Sequence, residues 1–181
     1  PYKNINKTQK IRKLKKKKRR LQRKISRKYL INKKGDSYCK TSNIIKIEKK
    51  LLKLNHRLTN IRHNYLHQVT TEIINRKPKF IVLEDLNVKG MMKNKHLSKA
   101  VAEQCFYEFY RQIEYKSSWN NIKFIIADRF YASSKICSCC KAVKKDLKLS
   151  DRIYKCDNCN TVIDRDKNAS INLYNYGKSI A

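Results

Sequence analysis

The chain has 181 residues, of which 40% are hydrophobic, enough for one compact domain or for a modest core with appendages. Its 45 Lys and Arg against 14 Asp and Glu leave a formal net charge of +31, a self-repulsion that a polyanionic partner relieves. Nucleic acid fits that role, because Lys and Arg that neutralise successive phosphates release condensed counterions. No apolar run approaches the roughly 20 residues of a membrane span, and no apolar signal-peptide core stands near the start. The expected location is therefore cytoplasmic and nucleic-acid-associated. Seven cysteines are an odd number, and four fall in two CxxC pairs, which favours metal ligation in a reducing compartment over a disulfide framework. Position 1 is Pro, which suggests a chain that begins inside a longer reading frame.

Residues 1 to 40 carry 18 Lys or Arg and a single acid, Asp36. Within them Ile11, Leu14, Leu21 and Ile25 fall at helical spacing, so the segment predicts a basic amphipathic helix. Such a stripe suits a phosphate backbone, a membrane surface or a neighbouring helix, and the pattern alone does not separate these. INKKGDS follows as a loop with Gly35 and Asp36 as its turn residues. From Ser42 a second, longer helix is predicted, with Ile47, Leu51, Leu54, Leu58, Ile61 and Tyr65 in alternating steps of four and three. It should end near Arg76, ahead of Pro78, and pair antiparallel with the basic helix.

KFIVLEDLNVKG then places a short apolar run, Phe80 to Leu83, where a buried strand is expected. Glu84 and Asp85 stand at its carboxyl end, where open α/β sheets build their sites. Residues 98 to 116 predict a helix with Ser98 as its cap and Val101, Cys105, Phe106, Phe109 and Ile113 on one face, Cys105 being simplest as core. A second strand, Ile122 to Ala127, ends in Asp128. Strand, helix and strand make a βαβ-like unit and a parallel or mixed sheet. DKNASINLYNYG closes the chain as a short helix stopped by Gly177, with Asp166 in its first turn.

Between that strand and that helix lie the cysteines. Cys137 and Cys140 form one CxxC, Cys156 and Cys159 the other, with 15 residues between the pairs. Each CxxC folds into a knuckle that aims two thiolates at one point, and two knuckles complete a tetrahedral Zn(II) site. Four sulfurs leave no open position, so the zinc expected here is structural. Cys139 is left as a free thiol or a neighbour of the site. Lys135, Lys141, Lys144, Lys145, Lys148, Arg152 and Lys155 make the flap basic, suited to a nucleic-acid backbone. Glu84 and Asp166 flank it in sequence, and two converging carboxylates are what a Mg(II) or Mn(II) site for phosphodiester chemistry needs. Helix capping is the other reading of Asp164 and Asp166.

IVLEDLNVKGM (81 to 91), YASSKICSCC (131 to 140), the second CxxC and DRDKNASIN (164 to 172) together resemble, in order and spacing, the C-terminal part of the TnpB or OrfB-like transposon-encoded proteins. That family consists of RNA-guided DNA nucleases with a RuvC, RNase H-like core. The resemblance implies an α/β fold: a partial RuvC core with a long helical hairpin and an inserted zinc ribbon. It divides the chain into a hairpin at 1–77, a strand-helix-strand core at 78–132, the ribbon at 133–163 and a C-terminal helix at 164–181. By position, Glu84 looks like the family's second catalytic carboxylate and Asp166 like its third, with Asp164 as the alternative. Cys137, Cys140, Cys156 and Cys159 match the zinc-binding target-nucleic-acid module, and Ser133, Ser134 and Lys135 match the SSK ahead of it. With Lys144, Lys145 and Arg152 these form the candidate nucleic-acid contacts. DNA and, for the whole family protein, a guide RNA are the implied partners; no membrane and no small-molecule substrate is implied.

The departures are informative too. The family's first catalytic Asp lies in a GIDLG-like stretch that these 181 residues lack. The expectation is a DNA-binding, zinc-containing portion, truncated and not competent to cleave alone. A zinc-dependent nucleic-acid-binding regulator without catalysis is the alternative, and a basic membrane-surface protein a third reading. Two strands without further sheet partners would also leave apolar edges exposed. Lys141 and Asn160 stand where the family usually has Gly after each knuckle, and Ser170 where it prefers Ala.

Overall fold

The computed structural model of the chain describes residues 2–148 and 150–181. Pro1, read above from its identity alone, and Leu149 lie outside them. The chain divides into two compact units, residues 1–72 with 99–112, and residues 73–98 with 113–181. Among the described residues no helix is long and apolar enough to cross a membrane.

In the first unit a short 3-10 turn, Ile5–Lys7, leads into α1, Gln9–Ile31. Its apolar stripe turns inward, with Ile11 fully buried and Leu14, Leu21 and Ile25 half-buried. The predicted loop after it contains a miniature antiparallel pair, β1 (Lys33–Lys34) and β2 (Ser37–Tyr38). Gly35, at φ +57°, supplies the left-handed backbone between them. Helix α2, Ser42–Asn75, returns antiparallel to α1: the Tyr29 hydroxyl donates to Glu48 Oε1 at 2.8 Å, near one end, and Lys15 and Arg62 meet Glu103 at 2.6 and 3.3 Å, near the other. The expected seam is real in part, since Ile47, Leu54 and Leu58 are buried while Leu51, Ile61 and Tyr65 are only half-buried. Ile44, outside that seam, is fully buried as well. Glu108 accepts from Arg111 at 2.9 and 2.8 Å and from Gln112 at 2.8 Å; these bonds, the Arg111 one foremost, hold its carboxyl down at about 2.

Lys77, at φ +48°, and Pro78 separate α2 from the second unit's first strand. There β3 (Phe80–Glu84) and β4 (Lys123–Ala127) pair in parallel, with Glu84 opposite Ala127. Between them run α3 (Val88–Lys93), α4 (Ser98–Gln104) and α5 (Phe106–Trp119). The single helix expected over 98–116 is thus broken: Cys105 sits at φ +55°, a left-handed conformation that no helix interior holds. Its side chain is half-buried, so it is a hinge between two helices before it is core. Ser98 is the first helical residue, not a residue outside it.

The ribbon is a second small sheet, β5 (Ile153–Lys155) antiparallel to β6 (Val162–Asp164). Helix α6, Arg165–Ile180, follows directly. Gly177 does not stop it. It is buried inside the helix, and a Cβ there would lie 2.3 Å from Val82 Cγ2 and 2.7 Å from a Phe80 ring carbon. The glycine lets α6 lie against β3, where Tyr174 also stacks on Phe80 with ring centroids 5.5 Å apart. Alanine would improve helix propensity by about 1 kcal/mol, yet the overlap with two core side chains costs about 1–3 kcal/mol. Gly177→Ala is therefore expected to lower the melting temperature, and a rise in that temperature would show that α6 does not pack this way. The two-stranded sheet does leave apolar surface uncovered: Ile126 of β4 is 51% exposed and Phe130 beyond it 88%.

Candidate metal centre and strand-end carboxylate

The cysteine centre is built from two knuckles of the same backbone design. In the first, Lys141 N–H donates to Cys137 O at 3.0 Å and Cys137 N–H to Ala142 O at 2.8 Å; in the second, Asn160 N–H donates to Cys156 O at 3.1 Å and Cys156 N–H to Thr161 O at 2.9 Å. Closing so tight a turn requires left-handed backbone after the second cysteine of each pair. Lys141 at φ +65° and Asn160 at φ +56° supply it without glycine. Lysine adopts that conformation at a cost of about 1–2 kcal/mol, asparagine with less. Lys141→Gly is accordingly expected to strengthen metal binding a few-fold in a competition titration against a chelator. Asn160→Gly should gain less, and a larger gain there would contradict this account of the turns.

These turns bring Cys137, Cys140, Cys156 and Cys159 together, their sulfurs all within 4.8 Å of one another. Cys137 Sγ and Cys159 Sγ are 3.6 Å apart, Cys140 Sγ and Cys156 Sγ 3.5 Å. A tetrahedron with Zn–S bonds of about 2.3 Å has edges of about 3.8 Å, so the four residues fit such an ion. Cys139, the third cysteine of the first knuckle, is exposed and stands outside the cluster. The Thr161 hydroxyl, 3.1 Å from Cys159 Sγ, and the Thr161 N–H hold the Cys159 thiol down at about 6. Cys140 is lowered as well, by a hydrogen bond from the Asn158 side chain and then by one from the Ala142 backbone N–H. Both shifts favour the thiolate that a metal takes, whereas burial pushes the Cys156 thiol the other way, up to about 11. Tyr154, fully buried beside the cysteines, is pushed up to about 12 by burial and then by Cys137, and its hydroxyl donates to Lys135 O at 3.1 Å.

The basic side chains of the flap divide into two kinds. Lys144 is committed internally, its Nζ donating to Asp157 Oδ1 at 2.7 Å and to Lys155 O at 3.1 Å. It ties the segment after the first knuckle to the second knuckle. Lys135, Lys145 and Arg152 are exposed and paired with no acid among the described residues, although Lys135 Nζ also donates to Lys145 O at 3.3 Å. Ser134 is half-buried, while Ser133 is buried at 4% exposure. Its hydroxyl donates to Glu84 Oε1 at 2.6 Å.

That bond fixes the carboxylate at the end of β3. Its neighbours are ordered too: Asp85 pairs with Arg129 at 2.7 Å, and Asp128 Oδ1 accepts from Phe130 N–H at 2.7 Å. At the start of α6 the two aspartates separate in role. Asp164 Oδ1 caps the helix, accepting from the N–H groups of Asp166 at 3.0 Å and Lys167 at 2.9 Å. Asp166 has its side chain 80% exposed, with Arg165 Nε 3.8 Å away. Among the described residues, the four cysteines form a group of three or more converging metal-type ligands, and neither Glu84 nor Asp166 belongs to it. Sequence reasoning missed two residues that matter here, Asn168 and Asn172. Both are fully buried in α6 and bond to the segment leading into the first knuckle. Their spacing of four, on one face of the closing helix, was the available signal.

Comparison with known proteins agrees with this layout. Residues 106–173 match the Cas12f1-like TNB domain family. A protein of Streptomyces pristinaespiralis named as a putative RNA-guided DNA endonuclease is 34% identical over 133 residues, which are 74% of this chain and 33% of that protein. InsQ of Escherichia coli, named likewise, is 29% identical over 89% of this chain and 41% of its own length. TnpB-like protein MJ0751 of Methanocaldococcus jannaschii is 30% identical over 65% of this chain and 43% of itself. The chain thus spans between about a third and less than half of the length of these relatives. In fold it is similar to Cas12f1 as seen in a cryo-EM complex with single-guide RNA and target DNA, at a TM-score of 0.57 and 21% identity, over 72% of this chain and 38% of that one. Over the residues it spans, the chain is TnpB-like, a mixed α/β protein of the Cas12f1 type with a four-cysteine centre inside its TNB domain.

Proposed function

We propose that this chain is the DNA-gripping, zinc-containing portion of a TnpB-like RNA-guided DNA endonuclease, and that by itself it binds DNA without cutting it. The observation that carries the reading is the four-sulfur cluster inside a lysine-covered ribbon. Cys137, Cys140, Cys156 and Cys159 would hold Zn(II), which supplies no reaction chemistry and closes the two knuckles into one rigid flap. Lys135, Lys145 and Arg152, with Ser134 beside them, are the proposed phosphate contacts; Lys144 serves the flap from within, and Ser133 faces Glu84. A guide RNA is the proposed partner of the whole protein.

Glu84 and Asp166 are the proposed ligands of Mg(II) or Mn(II) in the whole nuclease, where such ions activate water and stabilise a leaving oxygen. The capping role of Asp164 supports Asp166 as the available acid. The proposed functional parts are the hairpin at 1–77, the core at 78–132, the ribbon at 133–163 and the C-terminal helix at 164–181, which subdivide the chain differently from its two compact units. The test measures the two activities separately: anisotropy of labelled DNA for binding, and gel analysis of the same DNA after incubation with Mg(II). Binding that falls when a chelator strips the zinc, with no cleavage, is the expected result. A Mg(II)-dependent cut that disappears in Glu84→Ala would overturn the second half of the proposal, and unchanged binding after zinc removal the first.

A further inference from the structure

A chain of hydrogen bonds joins the cysteine centre to the strand-end carboxylate, and every member of it lies in the second unit. Asn168 Oδ1 accepts from Ser138 N–H at 2.9 Å, inside the first knuckle, and Asn168 Nδ2 donates to Ile136 O at 2.7 Å. One helical turn on, Asn172 Nδ2 donates to Ile136 O at 2.6 Å and to Ser133 O at 2.8 Å. Ser133 in turn donates its hydroxyl to Glu84 Oε1 at 2.6 Å. Both asparagines are fully buried, and Asn172 Oδ1 has no hydrogen-bond partner among the described residues. A buried amide oxygen left unpaired costs about 1–3 kcal/mol. The two donor bonds that Asn172 makes at this junction are what set against that cost.

We infer that Ser133 is the positioning residue of Glu84, and that Asn168 and Asn172 make its placement depend on the closed first knuckle. The inference rests on the proposed role of Glu84 as a metal ligand. Lys135 N–H and Ile136 N–H both donate to Ala132 O, at 2.9 and 3.1 Å, so residues 132–136 form a tight turn between β4 and Cys137. A turn of this kind has one seat for Ser133 only while its far end is held. When Cys137 and Cys140 are drawn to a metal, Ser138 and Ile136 are fixed against α6, and the hydroxyl faces the carboxylate. When the knuckle opens, Ile136 O and Ser138 N–H leave the asparagines, and the carboxylate loses an oriented donor. The flap thereby reports its own closure to the acid at the sheet's carboxyl end, without any cysteine touching that acid.

The test follows Glu84 itself in the full chain, uniformly labelled with carbon-13, by the side-chain carboxyl resonance that disappears in Glu84→Gln. Ser133→Ala should move that resonance while zinc content stays at one ion per chain, and Ser133→Thr, which keeps the hydroxyl, should restore it. Stripping zinc from the unsubstituted chain should shift it in the same direction as Ser133→Ala, and stripping zinc from Ser133→Ala should add nothing further. A Glu84 resonance unmoved by Ser133→Ala overturns the inference. So does loss of zinc in Ser133→Ala, which would make Ser133 a structural residue of the flap, and so does a resonance indifferent to zinc removal. DNA binding plays no part in the readout. Its absence would sink the proposed function and leave this result to be decided on its own.

Discussion

Cys156→Ser is expected to cost the chain tight zinc binding and, with it, the folded structure of residues 133–164. The reason lies in how little else holds the ribbon. β5 and β6 are three residues each, and a lone two-stranded sheet is marginal in water even when longer. The buried cluster beneath them is Cys137, Tyr154 and Cys156, with Cys140, Ala142, Leu147, Cys159 and Ile163 packed around it. Four of these eight residues are the sulfur donors, so the metal site and the core are one object. Structural zinc contributes on the order of 10–16 kcal/mol of apparent binding free energy in small zinc modules, far more than these few apolar contacts can replace. Removing one thiolate should therefore collapse amide dispersion across 133–164, while the α1 and α2 signals of the first unit persist, since that unit has its own core in Ile11, Ile44, Leu54 and Leu58. Cys139→Ser is the contrasting variant. It changes a cysteine one residue from a ligand, and zinc content should not move. Loss of zinc in Cys139→Ser with retention in Cys156→Ser would mean that the ligand set is wrong.

Local signals carried most of this layout. Apolar periodicity found α1 and α2 to within a few residues, because each buries a face whose period shows in the chain, and short apolar runs found β3 and β4, although β3 is only half-buried. CxxC spacing found the four-cysteine cluster, because two thiolates must be aimed by one short turn. What stayed hidden depends on neighbours far away in the chain. Gly177 looked like a helix stop because glycine ends helices; only the approach of Phe80 and Val82, nearly a hundred residues earlier, makes it an interior residue. Cys105 looked like one more apolar position, and its left-handed backbone has no signature in the sequence around it. Asp164 and Asp166 were equivalent on paper. The start of α6 separates them, since Asp164 lies one residue before the helix and Asp166 one residue inside it. Ser133 matched a nucleic-acid contact by its motif, and its burial against Glu84 turns the same residue inward.

Binding of DNA should fall steeply with salt, and the exposed basic residues of the flap should carry a countable part of that slope. A protein that neutralises six to ten phosphates loses about 10³–10⁵ in affinity between 50 and 200 mM salt, with a log-log slope near −0.9 per phosphate. A net charge of +31 supplies more than enough cations for that footprint. On α1, Arg12, Lys13, Lys16, Lys17, Arg19, Arg20, Arg23, Lys24 and Arg27 are all exposed, and no acid stands in the helix to neutralise them. The flap adds Lys135, Lys145 and Arg152. If these three touch phosphate, replacing all of them with Gln should make the slope shallower by about 3 and weaken binding similarly across unrelated DNA sequences. Zinc content should stay the same. Lys144→Gln is expected to behave differently, because its ammonium already serves Asp157 and the Lys155 carbonyl. It should leave the slope nearly unchanged and lower zinc affinity instead. An unchanged slope in the triple variant would move the DNA-binding surface off the flap and onto α1, where the same measurement on Arg19, Arg20, Arg23 and Lys24 would then have to find it.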